Sequence, residues 1–189
     1  MVQNQERRIA LVDAAIEVLA RDGARGLTFR AVDAEAGVPK GTASNYFANR
    51  DDLLNQVGAH IHHRLTLDPA GVESAQLPPS PELLTELMRA LYHHISRDRT
   101  GWLALLELRL EATRRPELQA ALTKTLRDNL NMNVEGHRAS GIPGDDMTTV
   151  LLYYAMTGLI LEHLTVPEVL ADFDENDLIA TFVNRSLAT

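Results

Sequence analysis

The chain reads as an all-α protein: a three-helix, helix-turn-helix head followed by a larger helical bundle, about nine helices in all. Three observations predict it. Apolar residues recur at three- and four-residue spacing along most of the chain, and no stretch alternates as a half-buried strand does. Residues that start and stop helices stand at the ends of those periodic runs. One proline-rich stretch, Leu67 to Pro81, holds Pro69, Pro78, Pro79 and Pro81 and forbids a continuous helix. The domain boundary is placed there, with residues 1–66 forming the head and its connecting helix and residues 67–189 the body.

The first helix is expected over residues 5–22, with Ile9, Val12, Ile16 and Leu19 on its buried face and Gly23 as its left-handed cap. Thr28 is placed to cap a second helix, in which Phe29, Val32 and Ala36 face inward and which Gly37 ends. Pro39 then sits in the first turn of a third helix running to Phe47, where only Ala43 and Phe47 look inward. Asn49 caps a fourth helix, with Asp51 and Asp52 in its first turn and Leu53 or Leu54, Val57, Ile61 and Leu65 as its stripe. Beyond the linker a fifth helix covers Glu82 to Ser96. A sixth, Trp102 to Arg114, is apolar nearly all round and is the natural centre of the body. Pro116 opens a seventh, with Leu118, Leu122, Leu126, Leu130 and Val134 repeating every four residues. After a turn from Ser140 to Asp145, Met147 to Leu164 forms a long apolar helix. Pro167 interrupts, and Asp174 or Asn176 starts a last helix carrying Leu178, Ile179, Phe182, Val183 and Leu187.

The stretch from Thr28 to Leu54 carries the functional reading. A helix as short and polar as the one beginning near Lys40 is not held by its own burial. It makes sense as an element presented outward by its neighbours. In a helix-turn-helix the second helix enters the DNA major groove while the first crosses the backbone. Lys40 can neutralise a phosphate, Gly41 lets the backbone approach a strand, and Thr42, Ser44 and Asn45 offer donors and acceptors to base edges. The competing view of the same residues is an ordinary surface helix with a tight turn.

The run Gly26-Leu27-Thr28, Arg30-Ala31-Val32, Ala36-Gly37-Val38, Gly41-Thr42, Tyr46-Phe47 and Asp52-Leu53-Leu54 resembles the N-terminal domain of the tetracycline-repressor (TetR) family of transcriptional regulators, over about residues 5–60. Three positions depart from the family's habit: Ala43 replaces a larger aliphatic, Ser44 a frequent Tyr, and Asp33 a common Ala. Asp33 bears on how closely the second helix packs on the first. The resemblance implies an all-helical homodimer that binds a double-stranded, palindromic operator and responds to a small-molecule inducer held in the C-terminal domain. It implies that Thr28, Arg30, Lys40, Tyr46 and Arg50 hold the DNA backbone, with Thr42, Ser44 and Asn45 reading bases beside Gly41. Arg50 stands where the family usually has Lys. The last two long helices are implied to pair with the same two of a second copy; Leu151, Ala155, Gly158, Leu161, Phe182 and Val183 suit that contact, and the competing view is that all of them face their own core.

Composition sets bounds on the alternatives. At 189 residues and 45% apolar content the chain is large enough for a sizeable core. The net charge of −8 argues against nucleic-acid binding until it is divided: residues 1–50 carry +1 and the remainder −9. An acidic body behind a near-neutral head limits non-specific attachment to DNA. No cysteine is present, so disulfides and thiolate chemistry are excluded. No apolar run of membrane-spanning length and no secretory-signal pattern occurs, which fits a cytoplasmic protein.

Little points to catalysis, and no cofactor or metal is expected. His60, His62 and His63 cluster late in the fourth helix and His93-His94 lie in the fifth, but no Glu-x-x-His pair accompanies them. Glu107 and Glu111 share a face of the sixth helix, suited to a cationic ligand or to pairing with Arg114 or Arg115. A pocket is expected among the fifth to eighth helices, with Met88, Tyr92, Trp102, Leu106, Glu107, Tyr153 and Met156 as its candidate lining; core packing explains the same stripe. A helical metal-dependent enzyme and a protein-binding adaptor are the two other readings compatible with such a scaffold.

Overall fold

The computed structural model describes residues 4–67, 72 and 77–188, so Pro69 of the linker lies outside the described residues. Among the described residues there are nine α-helices: α1 Gln5–Gly26, α2 Phe29–Glu35, α3 Ala43–Tyr46, α4 Arg50–Leu65, α5 Pro81–Arg97, α6 Arg99–Ala112, α7 Pro116–Ser140, α8 Asp146–Thr165 and α9 Glu175–Leu187. A short 3-10 helix, Pro167–Leu170, stands between the last two.

Side-chain caps set most of the starts. Asn4 accepts from the Arg7 amide, Thr28 from Ala31, Asn49 from Asp52, Asp98 from Gly101 and Asp174 from Asp177. Each satisfies one of the amides that a helix's first turn leaves without a partner. Asp145 and Thr148 cap each other's amides at the start of α8. Gly23 and Gly37 take the positive φ expected of them, +67° and +62°. At Gly23 the chain breaks and then makes one more helical turn, so α1 extends to Gly26 rather than stopping at Asp22. Burial on α1 begins only at Leu11, which leaves Ile9 41% exposed and outside the core.

The third helix differs most from expectation. Only Ala43–Tyr46 is helical, and Pro39 to Thr42 form a turn before it. Gly41 has φ +91°, which is incompatible with a helix interior and which a residue bearing a Cβ rarely adopts. Pro39 therefore belongs to the turn, not to the helix's first turn.

The chain packs as two compact units: the described residues of 1–66 with 98–125, and those of 67–97 with 126–189. In the first unit α1 packs on α2, α4 and α6, and α4 packs on α6. The apolar α6 thus folds with the helix-turn-helix, whereas the sequence suggested the centre of the body. Leu108 of α6 is 0% exposed in this packing, and Gly58 of α4 leaves room for Leu122 of α7, which a Cβ there would meet at 3.2 Å. Leu110, expected on the wrapped surface, is 56% exposed. In the second unit α5, α8 and α9 pack on one another around Leu83, Leu84, Ile142, Leu152 and Val183.

Candidate nucleic-acid interface

The turn between α2 and α3 is held by a residue the sequence reading had set aside. Asp33 is 2% exposed, and its carboxylate accepts from the Gly41 amide and the Ala43 amide, both at 2.7 Å. Thr42 makes no side-chain cap, so Asp33 serves α3 in that role from the preceding helix. A buried carboxylate bonded to two amides is stable where an isolated one is not. Beneath it Ala43 and Phe47 are 0% and 1% exposed, and Phe29 stacks on Phe47 with ring centroids 6.4 Å apart. The small Ala43, in place of a larger aliphatic, fits that tight seat.

Outward from this seat, Lys40, Gly41, Ser44 and Asn45 are exposed, as are Thr28 and Arg30, while Thr42 and Tyr46 are half-buried. The Thr42 hydroxyl donates to the Pro39 carbonyl at 2.6 Å and the Ser44 hydroxyl to the Gly41 carbonyl at 2.8 Å. Their hydrogens are therefore engaged, and what both offer an incoming group is oxygen lone pairs. Tyr46 lies under the Arg8 guanidinium, 5.8 Å from its ring centroid.

Arg50 is placed differently from its expected role at a phosphate. Its side chain turns inward: Nε donates to the Leu27 carbonyl at 3.3 Å, Nη1 to Glu111 at 3.3 Å, and Nη2 to the Ala24 carbonyl. The break at Gly23 and the end of α1 leave these carbonyls without helical partners, and a guanidinium's fork of donors fills them. Glu111 also accepts from Arg115 at 2.6 Å, and Arg115 reaches Asp51 at 2.6 Å. Arg115's hydrogen bond, then its charge and that of Arg50, hold the Glu111 carboxyl below its ordinary range against the opposing effect of burial. Glu107, expected in a ligand pocket, instead accepts from the Ala24 amide at 3.2 Å, beside the Gly23 break. Two carboxylates of α6 and one arginine of α4 thus hold the turn that leads into the helix-turn-helix. The span of chain between these partners is what hid the arrangement from a local reading.

The other expected pocket residues divide between the units. Trp102 and Leu106 lie in the first. Met88, Tyr92, Tyr153 and Met156 lie in the second, where Met88 packs against the core cluster and Tyr92 and Met156 are each 2% exposed. Of the expected dimer residues, Leu151 is 40% exposed, Gly158 is exposed, and Ala155, Leu161 and Phe182 are half-buried. Leu151, Ala155 and Phe182 line one shallow depression with Arg185 and Ser186. Val183 does not belong with them: it is 0% exposed within its own core, because α9 turns it toward Leu152 rather than outward. Met147 and Tyr154 of α8 are also exposed, at 54% and 65%.

The profile described as bacterial regulatory proteins, tetR family, matches residues 11–57, and that described as tetracyclin repressor-like, C-terminal domain, matches residues 79–189. The chain belongs to the TetR family. It is a sequence-specific DNA-binding transcriptional regulator of the all-α architecture expected. A TetR-family member from Streptomyces coelicolor A3 is 30% identical over 96% of this chain and 98% of its own, with a TM-score of 0.70. The multidrug binding protein EbrR, in complex with imidazole, is 28% identical over 97% of this chain and 96% of its own, at 0.68. A transcriptional regulator from Rhodococcus sp. Rha1 shares the fold at 0.78 with 20% identity, covering 96% of each chain. No curated protein sequence matches. Among the described residues of this TetR-family chain, no helix is long and apolar enough to cross a membrane.

Proposed function

We propose that this regulator is a homodimeric repressor that leaves a palindromic operator when a small molecule binds. The supporting observation is the two-sidedness of the Pro39–Phe47 segment. Ala43 and Phe47 are buried at 0% and 1%, Asp33 locks the turn, and Lys40, Gly41, Ser44 and Asn45 face solvent. In this reading Thr28, Arg30, Lys40 and Tyr46 hold phosphates. Asn45 meets base edges, and Thr42 and Ser44 contribute acceptors there. Arg50 contributes by positioning the turn before α2 rather than by touching DNA. Residues 1–66 serve as the DNA-binding domain, with α6 as its packing partner, and residues 67–189 otherwise serve effector binding and dimerisation.

A dimer fits the exposed apolar face of α8 and α9, where Leu151, Ala155, Gly158 and Phe182 lie beside Met147 and Tyr154. One short reading segment covers few base pairs; two heads about one helical turn (~34 Å) apart give useful selectivity. EbrR forms complexes with imidazole, ethidium, proflavin and malachite green, and we extend small-molecule binding to this chain. Such a ligand shifts the DNA-binding balance only by its difference in affinity between the two states.

Selecting bound fragments from genomic DNA, followed by gel shifts on the enriched sequence, tests the reading. A two-fold-symmetric site is expected to emerge. Retention of no sequence above random DNA at physiological salt would overturn it.

A further inference from the structure

Asp33 holds the entry to α3; a separate chain of hydrogen bonds holds its exit. Arg8 of α1 is half-buried, and its Nη1 donates to Gln56 Oε1 of α4 at 2.8 Å. The Gln56 side-chain nitrogen donates to Asp52 Oδ1 at 2.8 Å. The other Asp52 oxygen accepts from the Ala48 backbone amide at 2.9 Å, just past the end of α3 at Tyr46. The Arg8 guanidinium also lies over two rings, 5.8 Å from the Tyr46 centroid and 5.6 Å from that of Phe47. Arg8 thus touches the last residue of α3 directly and reaches the corner after it through Gln56 and Asp52.

Neighbouring Arg7 is exposed, as a solvated helix charge is expected to be. Such a charge contributes little to a fold. Arg8 is bonded to a side chain 48 residues on and covers two aromatic rings with a planar, pre-organised group, so it fixes the spacing between α1, α4 and the α3 exit. Gln56 is the side chain the middle of this relay requires. Its oxygen accepts from Arg8 while its nitrogen donates to Asp52; a Glu there would face Asp52 with like charge, and a Leu would join nothing. Tyr46 needs the support. It ends a helix of only four residues, which does not hold itself, and its ring is half-buried, so the direction of its phenol is set by what covers the ring.

We infer that Arg8 is a positioning residue for DNA binding: by covering the Tyr46 ring, and through Gln56 and Asp52, it fixes the exit of the reading segment rather than contacting a phosphate itself. The inference rests on the phosphate role proposed for Tyr46.

The test uses the full chain and the operator selected as above, with DNA-free measurements beside it. Arg8→Met keeps an unbranched apolar stem and removes the charge and donors. It is expected to weaken operator binding about tenfold with the salt slope unchanged, whereas loss of a phosphate contact lowers the slope by about one. Gln56→Met leaves the arginine's charge in place and cuts the relay; it should weaken binding severalfold, again at constant slope. The two together should lose no more than Arg8→Met alone, as members of one network do. In a Tyr46→Phe chain, which keeps the ring and lacks the hydroxyl, Arg8→Met should cost much less than in the parent; an arginine with a merely structural role costs the same in both. Without DNA, Arg8→Met and Gln56→Met should speed hydrogen exchange at the Ala48 amide severalfold, and Arg7→Met should not. A slope lowered by about one in Arg8→Met, unchanged affinity in Gln56→Met, an equal cost of Arg8→Met with and without the Tyr46 hydroxyl, or unchanged exchange at Ala48 would each overturn the inference. Exchange is read without DNA, so it judges the relay even where no operator emerges, and loss of the relay leaves the roles of Lys40 and Asn45 standing.

Discussion

Asp33→Ala is the sharpest perturbation the structure offers. The carboxylate is 2% exposed and accepts two amide hydrogens at 2.7 Å, from Gly41 and Ala43. Hydrogen bonds to a charged acceptor are worth about 1.5–3 kcal/mol each, and a buried amide left unpaired costs about 1–3 kcal/mol. The Ala43 amide is buried and loses its full value; the Gly41 amide is partly buried and regains some of it from water. The sum is about 3–4 kcal/mol. At about 2–4 °C per kcal/mol for a chain of this size, the melting temperature should fall by roughly 10 °C. Asp33→Asn keeps one acceptor oxygen but turns an NH2 donor toward the other amide, so it should cost nearly as much as Asp33→Ala. The DNA effect is separate. The four residues of α3 do not hold a helix unaided. Ordering even one or two residues on binding costs about 1–2 kcal/mol apiece, which predicts at least a roughly tenfold weaker operator complex. Thermal melts and operator titrations of the three proteins give the answer. An Asp33→Ala chain that melts within about 2 °C of the parent and binds as tightly would show that the carboxylate is not what holds the turn.

The remaining predictions follow from single side chains. Lys40→Ala should weaken binding to every DNA sequence and reduce the salt slope by about one, whereas Asn45→Ala should relax preference at particular base pairs; binding-site selection with both variants separates the two effects. Leu151→Lys places a charge on the exposed face of α8 and should convert dimer to monomer in sedimentation without lowering helicity, and an unchanged sedimentation coefficient would place the dimer contact elsewhere. Glu111 has a folded pKa depressed below its ordinary 4.5, chiefly by Arg115, so its contribution is fully present above that value and is lost as pH falls through the lower, folded one. The parent should therefore lose melting temperature between about pH 5 and 3 more steeply than Glu111→Gln, and parallel profiles would remove the ion cluster from the account.

What the sequence determined by itself was much of what acts over one turn of chain. Thr28, Asn49 and Asp174 cap their helices through bonds to amides three residues on. Gly37 takes φ +62° where a left-handed residue had to end α2. The helical period placed Val32, Ala43, Phe47 and Ile61 inside, and the all-α class followed from it. Tertiary structure alone decided what joins distant segments. Asp33 bonds amides eight and ten residues away across a turn whose geometry depends on Gly41. Arg50 is drawn inward by carbonyls at the end of α1 and by a carboxylate 61 residues on, and Glu107 reaches an amide 83 residues back. A periodic stripe says that a helix has a buried face but not which helix covers it, because apolar burial is non-directional. Only the packing of α6 against α1 and α4 settles that it folds with the head.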